Sequence, residues 1–333
     1  MESFIRNLPK VELHLHIEGT LEPELMFKLA ERNKSSIPFK SIDDVKKAYQ
    51  FHNLQSFLDI YYQSCQVLIK EQDFFELAFN YFTKAYEQNV RHCEIFFDPQ
   101  THLERDIPFE IFMNGFLGAA DKAQKKFGIS STLIMCFLRH LSEEDANTTL
   151  ELSLPFRDKI IAVGLDSSEK NNPPSKFKNV FKKAKQLGLK TVAHAGEEGP
   201  PEYIWQTLDM LEVERIDHGV RCLEDDKLVS YLVEHKIPLT VCPLSNIKLC
   251  VFPELQAHPI KKLLDLGTCV TINSDDPAYF GGYIEENYLA CQKTFNLTEK
   301  ELIQFAKNGI NASFLLDAQK DDLLAEINKL TKL

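Results

Sequence analysis

Nowhere in these 333 residues does an apolar run approach the roughly 18 residues of a membrane span. The eight cysteines include no CxxC pair, which excludes a zinc ribbon and a thioredoxin-type motif. Several sit inside apolar runs such as VCPL and TCVTI, where a reduced thiol packs as a small hydrophobe. Positive charge is in deficit: 38 Lys and Arg stand against 49 Asp and Glu, a net charge of −11. Without a phosphate-neutralising surplus, the chain does not read as a nucleic-acid binder. No GxGxxG follows the first β-rich run and no GxxxxGK[ST] occurs, so nucleotide-phosphate folds lose their usual support. The opening segment, MESFIRNLPK, carries no secretory-type apolar stretch. The expectation is a reduced cytoplasmic protein (with nuclear access if eukaryotic), with no membrane or nucleic-acid partner and self-association left open.

What is present is a globular composition, 44% hydrophobic and 26% charged with 13 Gly and 15 Pro. Eight short β-rich runs recur, at residues 11–17, 92–98, 131–138, 160–166, 190–196, 215–220, 238–244 and 269–276. Between them the apolar spacing changes to a helical period, as in Leu54, Phe57, Leu58, Tyr61, Cys65 and Leu68. Strands alternating with helices imply parallel pairing through right-handed crossovers. Eight such units predict an α/β fold of the (β/α)8 TIM-barrel class; an open doubly wound sheet is the alternative. The predicted organisation is one domain over residues 1–333, with a helical insert at about 20–90 and extra helices from about residue 285 to 329.

Polar residues fall at the strand ends, where a barrel gathers its active site. His14 and His16 stand two apart on the first strand and so point to one side. His194 lies on the fifth with Glu197 three residues on, His218 ends the sixth, and Asp275 and Asp276 end the eighth. One histidine or one capping aspartate signifies little. Three strands ending in histidine and a fourth ending in two acids are costly to bury without function, and the donor types suit a metal.

The segments LPKVELHLHIEGTLEPE, HAGE, DHG and NSDDPAYFGGY together resemble the adenosine/adenine deaminase family of the amidohydrolase superfamily over nearly the whole chain. Within it, the likeness is to the adenine deaminase branch. The resemblance implies one Zn2+ per chain held by His14, His16, His194 and Asp275. The fourth strand lacks the lysine of two-metal members. It further implies Glu197 as proton shuttle, His218 as donor to the developing oxyanion, Asp275 as acceptor of the water proton, and Asp276 as partner of purine N7. The implied reaction is hydrolytic deamination of a purine base in purine salvage. The HxE…PCxxC signature of cytidine-type zinc deaminases does not occur.

Two positions bear on the substrate. Adenosine deaminases carry HxHxDG, whereas this chain has Glu18, one methylene longer, before Gly19. They also carry a small glycine in the fourth βα loop, where Ser167 aligns. Both changes favour free adenine, Glu18 by intruding on the sugar volume and Ser167 by bonding the N3/N9 edge. Adenosine, N6-substituted adenines and a non-catalytic binding barrel are the alternatives. Asp98 and His102, at the end of the second strand, could face the site but read rather as capping or loop-bonding residues, and Arg139 and His140 as solvent-facing. His92 and His258 have no ligand-like company in sequence, and Ser245 and Asn246 are candidates for orienting site groups.

Overall fold

In the computed structural model, which describes residues 1–330, eight parallel strands follow one another in chain order. They are β1 Lys10–Glu12, β2 Val90–Phe97, β3 Ser130–Leu138, β4 Ile160–Asp166, β5 Lys190–Ala195, β6 Arg215–His218, β7 Pro238–Val241 and β8 Cys269–Ile272. The first and last meet just beyond their carboxyl ends. There the Asp275 N–H donates to the His14 carbonyl and the His16 N–H to the Asp275 carbonyl, both at 3.0 Å. With helices between the strands, the arrangement is consistent with a (β/α)8 barrel of TIM type.

Both faces of the strands are dry, as a parallel sheet requires. Phe96, Ile134, Cys136, Ala162 and Val192 form a small inner cluster, and the outward residues pack against the helices in one continuous core. The interior also holds an ion pair: Arg215 Nη1 donates to Glu94 Oε2 at 2.6 Å, with both side chains fully buried.

Several strands stop short of the β-rich runs that signal them. The backbone turns into the left-handed region at Gly196, His218, Gly219 and Asp275, with φ between 63° and 73°. Such a conformation costs a non-glycine residue about 1–3 kcal/mol, and it aims the His218 and Asp275 side chains across the barrel mouth.

Between β1 and β2 the chain forms helices Pro23–Asn33, Ile42–Ala48, Leu54–Cys65 and Glu71–Glu87. The third starts at a capping box, in which the Asn53 side chain accepts the Ser56 N–H and Ser56 reaches back to Asn53. Its i, i+3, i+4, i+7 face, Leu54, Phe57, Leu58 and Tyr61, closes over the carboxyl ends of the strands. Helices Ile284–Phe295, Glu299–Ala312 and Asp317–Leu330 follow β8. No helix among the described residues is long and apolar enough to cross a membrane.

Candidate active site

The histidines and acids scattered through the sequence converge at the strand ends. His14 Nε2 lies 3.1 Å from His194 Nε2, and His16 Nε2 lies 3.2 Å from the same atom. Asp275 Oδ1 is 3.3 Å from His14 Nε2 and 3.5 Å from His16 Nε2. Two imidazole nitrogens this close repel unless they share a proton or a cation. A tetrahedral ion with Zn–N bonds of about 2.0–2.1 Å would hold its ligand atoms roughly 3.3 Å apart. The donor spacing therefore fits a zinc-sized ion. The His14 Nδ1 is turned to Thr240, 3.0 Å from its carbonyl and its hydroxyl, which leaves Nε2 for the centre. Burial, with the neighbouring His14, His218 and His16, holds His194 well below the usual imidazole range, in the neutral form that a ligand needs.

Around these donors stand acids whose environments push them apart. Burial alone would raise Asp275, but His14, His218 and His16 outweigh it and hold this carboxylate well below its usual range. Burial followed by the Asp275 charge raises Glu197 well above the carboxylate range, and Asp276 likewise. The surroundings thus favour the ionised form of Asp275 and the protonated forms of Glu197 and Asp276, in which a carboxyl can donate a proton. His218 Nε2 lies 3.6 Å from Glu197 Oε2 and 3.8 Å from Asp275 Oδ2, and burial together with His14 pushes its pKa to about 3. Asp276 Oδ1 is buried without a partner. It packs against the backbone at Gly19, where a β-carbon would come within 2.0 Å of it.

These groups open onto a small cavity whose walls include Phe57, Leu58, Tyr62, Asp98 and Ser167. Ser167 adopts φ 71°, in the left-handed region that glycine enters at less cost than serine. Its Oγ bonds the Tyr62 hydroxyl at 3.2 Å and His140 Nδ1 at 2.9 Å. Glu18 does not line the cavity. Its Oε1 lies 2.8 Å from His102 Nε2 and accepts the Asp98 N–H at 3.3 Å, and burial pushes its pKa to about 7. Arg105 donates to His102 Nδ1 at 2.7 Å, so His102 keeps its proton on Nε2 and donates it to Glu18.

Other residues depart from their sequence reading. Arg139 is fully buried rather than solvent-facing and donates to the His194 carbonyl at 2.7 Å. Asp98 faces the cavity, accepting the Tyr61 hydroxyl at 3.3 Å, and its side chain does not cap the helix it precedes. His258 is buried beside Asn246 and His92 beside Ser130. Asp166, at the end of β4, lies 3.5 Å from His16 Nδ1, and with Asp98 and His16 forms a second cluster of ligand-type atoms. Glu169 gives no sequence signal, yet its carboxylate accepts the backbone N–H groups of Gly196, Glu197 and Gly199. Its role follows from loop packing, which has no periodicity to read.

The chain is similar to known proteins along its whole length. The family profile described as adenosine deaminase matches residues 9–330. An adenine deaminase of Acinetobacter baylyi is 59% identical over 326 residues, covering 98% of each chain. One of Hahella chejuensis is 54% identical over 329 residues, 99% of this chain and 98% of its own. Among solved structures, adenine deaminase from Arthrobacter aurescens superposes with a TM-score of 0.96 at 46% identity, covering 98% of this chain and all of its own. An amidohydrolase of Burkholderia ambifaria, with bound Zn, gives 0.91 at 27% identity over 99% of this chain and 93% of its own. The strand-end cluster, the barrel-type fold and these full-length likenesses agree: the chain belongs to the adenosine deaminase family of hydrolases.

Proposed function

We propose that this chain hydrolyses adenine to hypoxanthine and ammonia as a step of purine salvage, using one zinc ion held by His14, His16, His194 and Asp275. The observation that carries the reading is the set of ligand-atom spacings, 3.1–3.5 Å, beside Glu197 and His218 at a small cavity. Likeness to adenine deaminases at 54–59% identity supports the substrate. Bound there, zinc supplies a Lewis acid that brings the pKa of a water towards neutrality.

The protein's own groups would act as follows. Glu197 gives the proton on its carboxyl to N1 of the purine, which makes C6 electrophilic. Asp275 accepts a proton from the attacking water, and His218 donates through Nε2 to the oxygen that adds at C6. The C6–N6 bond then breaks: the water-derived proton passes from Asp275 by way of Glu197 to the departing amino group, and Glu197 regains its own proton from the C6 hydroxyl as the carbonyl forms. Asp276, held neutral by burial, donates to N7. Ser167 bonds the N3/N9 edge and, braced by Tyr62 and His140, crowds a ribose. Glu18 shapes the pocket from behind, through Asp98 and His102.

On this reading residues 1–333 make one barrel domain, with the helical insert of about 20–90 as its roof. Conversion of adenine to hypoxanthine by the zinc-loaded protein, followed by ultraviolet absorbance with ammonia measured in parallel, tests the proposal. Absence of turnover would overturn it.

A further inference from the structure

Asn246, on the short helix Pro243–Lys248 after β7, is fully buried among polar atoms of three other residues. Its Nδ2 lies 3.2 Å from Glu197 Oε1 and 3.4 Å from His218 Nδ1, and its Oδ1 lies 3.1 Å from His258 Nε2. Neither Asn246 nor His258 belongs to the zinc ligand set or reaches the reacting atoms.

His258 decides which end of the amide carries the hydrogens. The Ile260 N–H donates to His258 Nδ1 at 3.2 Å, so that nitrogen is an acceptor. Burial pushes the ring's pKa to about 3, so it holds one proton, on Nε2. That proton goes to Asn246 Oδ1. The two amide hydrogens then face Glu197 Oε1 and His218 Nδ1, one for each.

Both acceptors are thereby committed. With Nδ1 accepting, neutral His218 keeps its proton on Nε2, the atom 3.6 Å from Glu197 Oε2 and 3.8 Å from Asp275 Oδ2. With Oε1 accepting, a protonated Glu197 carries its proton on Oε2.

We infer that Ile260 N–H, His258 and Asn246 form a positioning relay that sets the tautomer of His218 and the protonated oxygen of Glu197. This rests on the roles proposed above for those two groups. Asn246 and His258 are positioning residues, and mere filling of a buried polar pocket would not select one tautomer.

The test combines kinetics with a spectrum that needs no substrate. Asn246→Asp keeps the shape and the acceptor for His258 but has no N–H to donate. In protein labelled with ¹⁵N-histidine, with His218 assigned from the resonance lost in His218→Gln, the wild type is expected to carry the His218 proton on Nε2. In Asn246→Asp it is expected to move to Nδ1, with kcat for adenine down about 10–100-fold at equal zinc content and KM little changed. His258→Leu should behave like Asn246→Asp, whereas His258→Gln, which can still donate to Asn246, should recover much of kcat. A wild-type His218 protonated on Nδ1, or an unchanged tautomer in a folded Asn246→Asp, would overturn the relay. Should Asn246→Asp not fold, the wild-type spectrum and the His258 pair decide. The spectrum reads the relay whether or not adenine is the substrate.

Discussion

The buried carboxylate of Glu169 accepts the backbone N–H of Glu197 at 2.9 Å, and also those of Gly196 and Gly199 at 3.1 and 2.9 Å. It thus fixes the loop that aims Glu197 into the site. Removing it strands three buried amides, each costing about 1–3 kcal/mol. Glu169→Ala should lose at least about 2 kcal/mol of stability by denaturant titration and most of its kcat. Gly199→Ala should also be destabilised, because a β-carbon there would come within 2.0 Å of Glu169 Oε2. Wild-type stability and kcat in Glu169→Ala would remove this loop-holding role.

Glu94 supplies the acid-side stability of the barrel interior. Burial would raise its pKa, but the Arg215 guanidinium and His92 bring it from an ordinary 4.5 to about 2. A depressed folded pKa contributes stability that is present above about 4.5 and is lost as pH falls through about 2. Glu94→Gln leaves buried Arg215 with only the more distant Asp217, 3.8 Å from its Nε, as counter-charge, so at pH 7 it should be about 3 kcal/mol less stable. Denaturation midpoints from pH 6 to 2 should fall more steeply in wild type than in Glu94→Gln. Parallel curves would contradict the assignment.

Ser167→Gly removes a hydroxyl from the cavity wall and places glycine where φ is 71°. Backbone strain is relieved by about 1 kcal/mol, offset by the loss of the bonds to Tyr62 and His140. The folded protein should be nearly as stable as wild type. The ratio of kcat/KM for adenine over adenosine should fall about tenfold or more. An unchanged ratio would show that Ser167 has no part in selecting the base.

Chelation should abolish turnover and lower the melting temperature, and zinc should restore both, because a ligand of the folded state stabilises it by mass action. One equivalent of zinc per chain is expected by elemental analysis, lost in His194→Ala. Two equivalents would implicate His16, Asp98 and Asp166, whose ligand-type atoms lie within 4.8 Å of one another.

The barrel-type strand order and the polar residues at the strand ends were readable because their signals are local. Strand runs at 160–166 and 190–196 lie within a residue of β4 and β5, and the i, i+4 face of Phe57 and Tyr61 marks a helix. His14, His194 and Asp275 stand at strand ends, which topology alone brings together. What could not be read depends on contacts between distant loops. Arg139 looks exposed in sequence because it follows β3, yet it reaches the His194 carbonyl 55 residues away. Glu18 sits one residue from Gly19 and so looks like a pocket residue, but His102, 84 residues on, holds its carboxylate outside the lining. His258 acquires its meaning only from Asn246 and Ile260.

The most direct test of the central claim is the ratio of kcat/KM for adenine to that for adenosine in zinc-loaded protein, measured alongside N6-alkyl adenines. Ser167 Oγ in the cavity wall, held by Tyr62 and His140, would crowd a ribose, so adenine is expected to be preferred by at least about a hundredfold. Adenosine turned over as efficiently as adenine would contradict it.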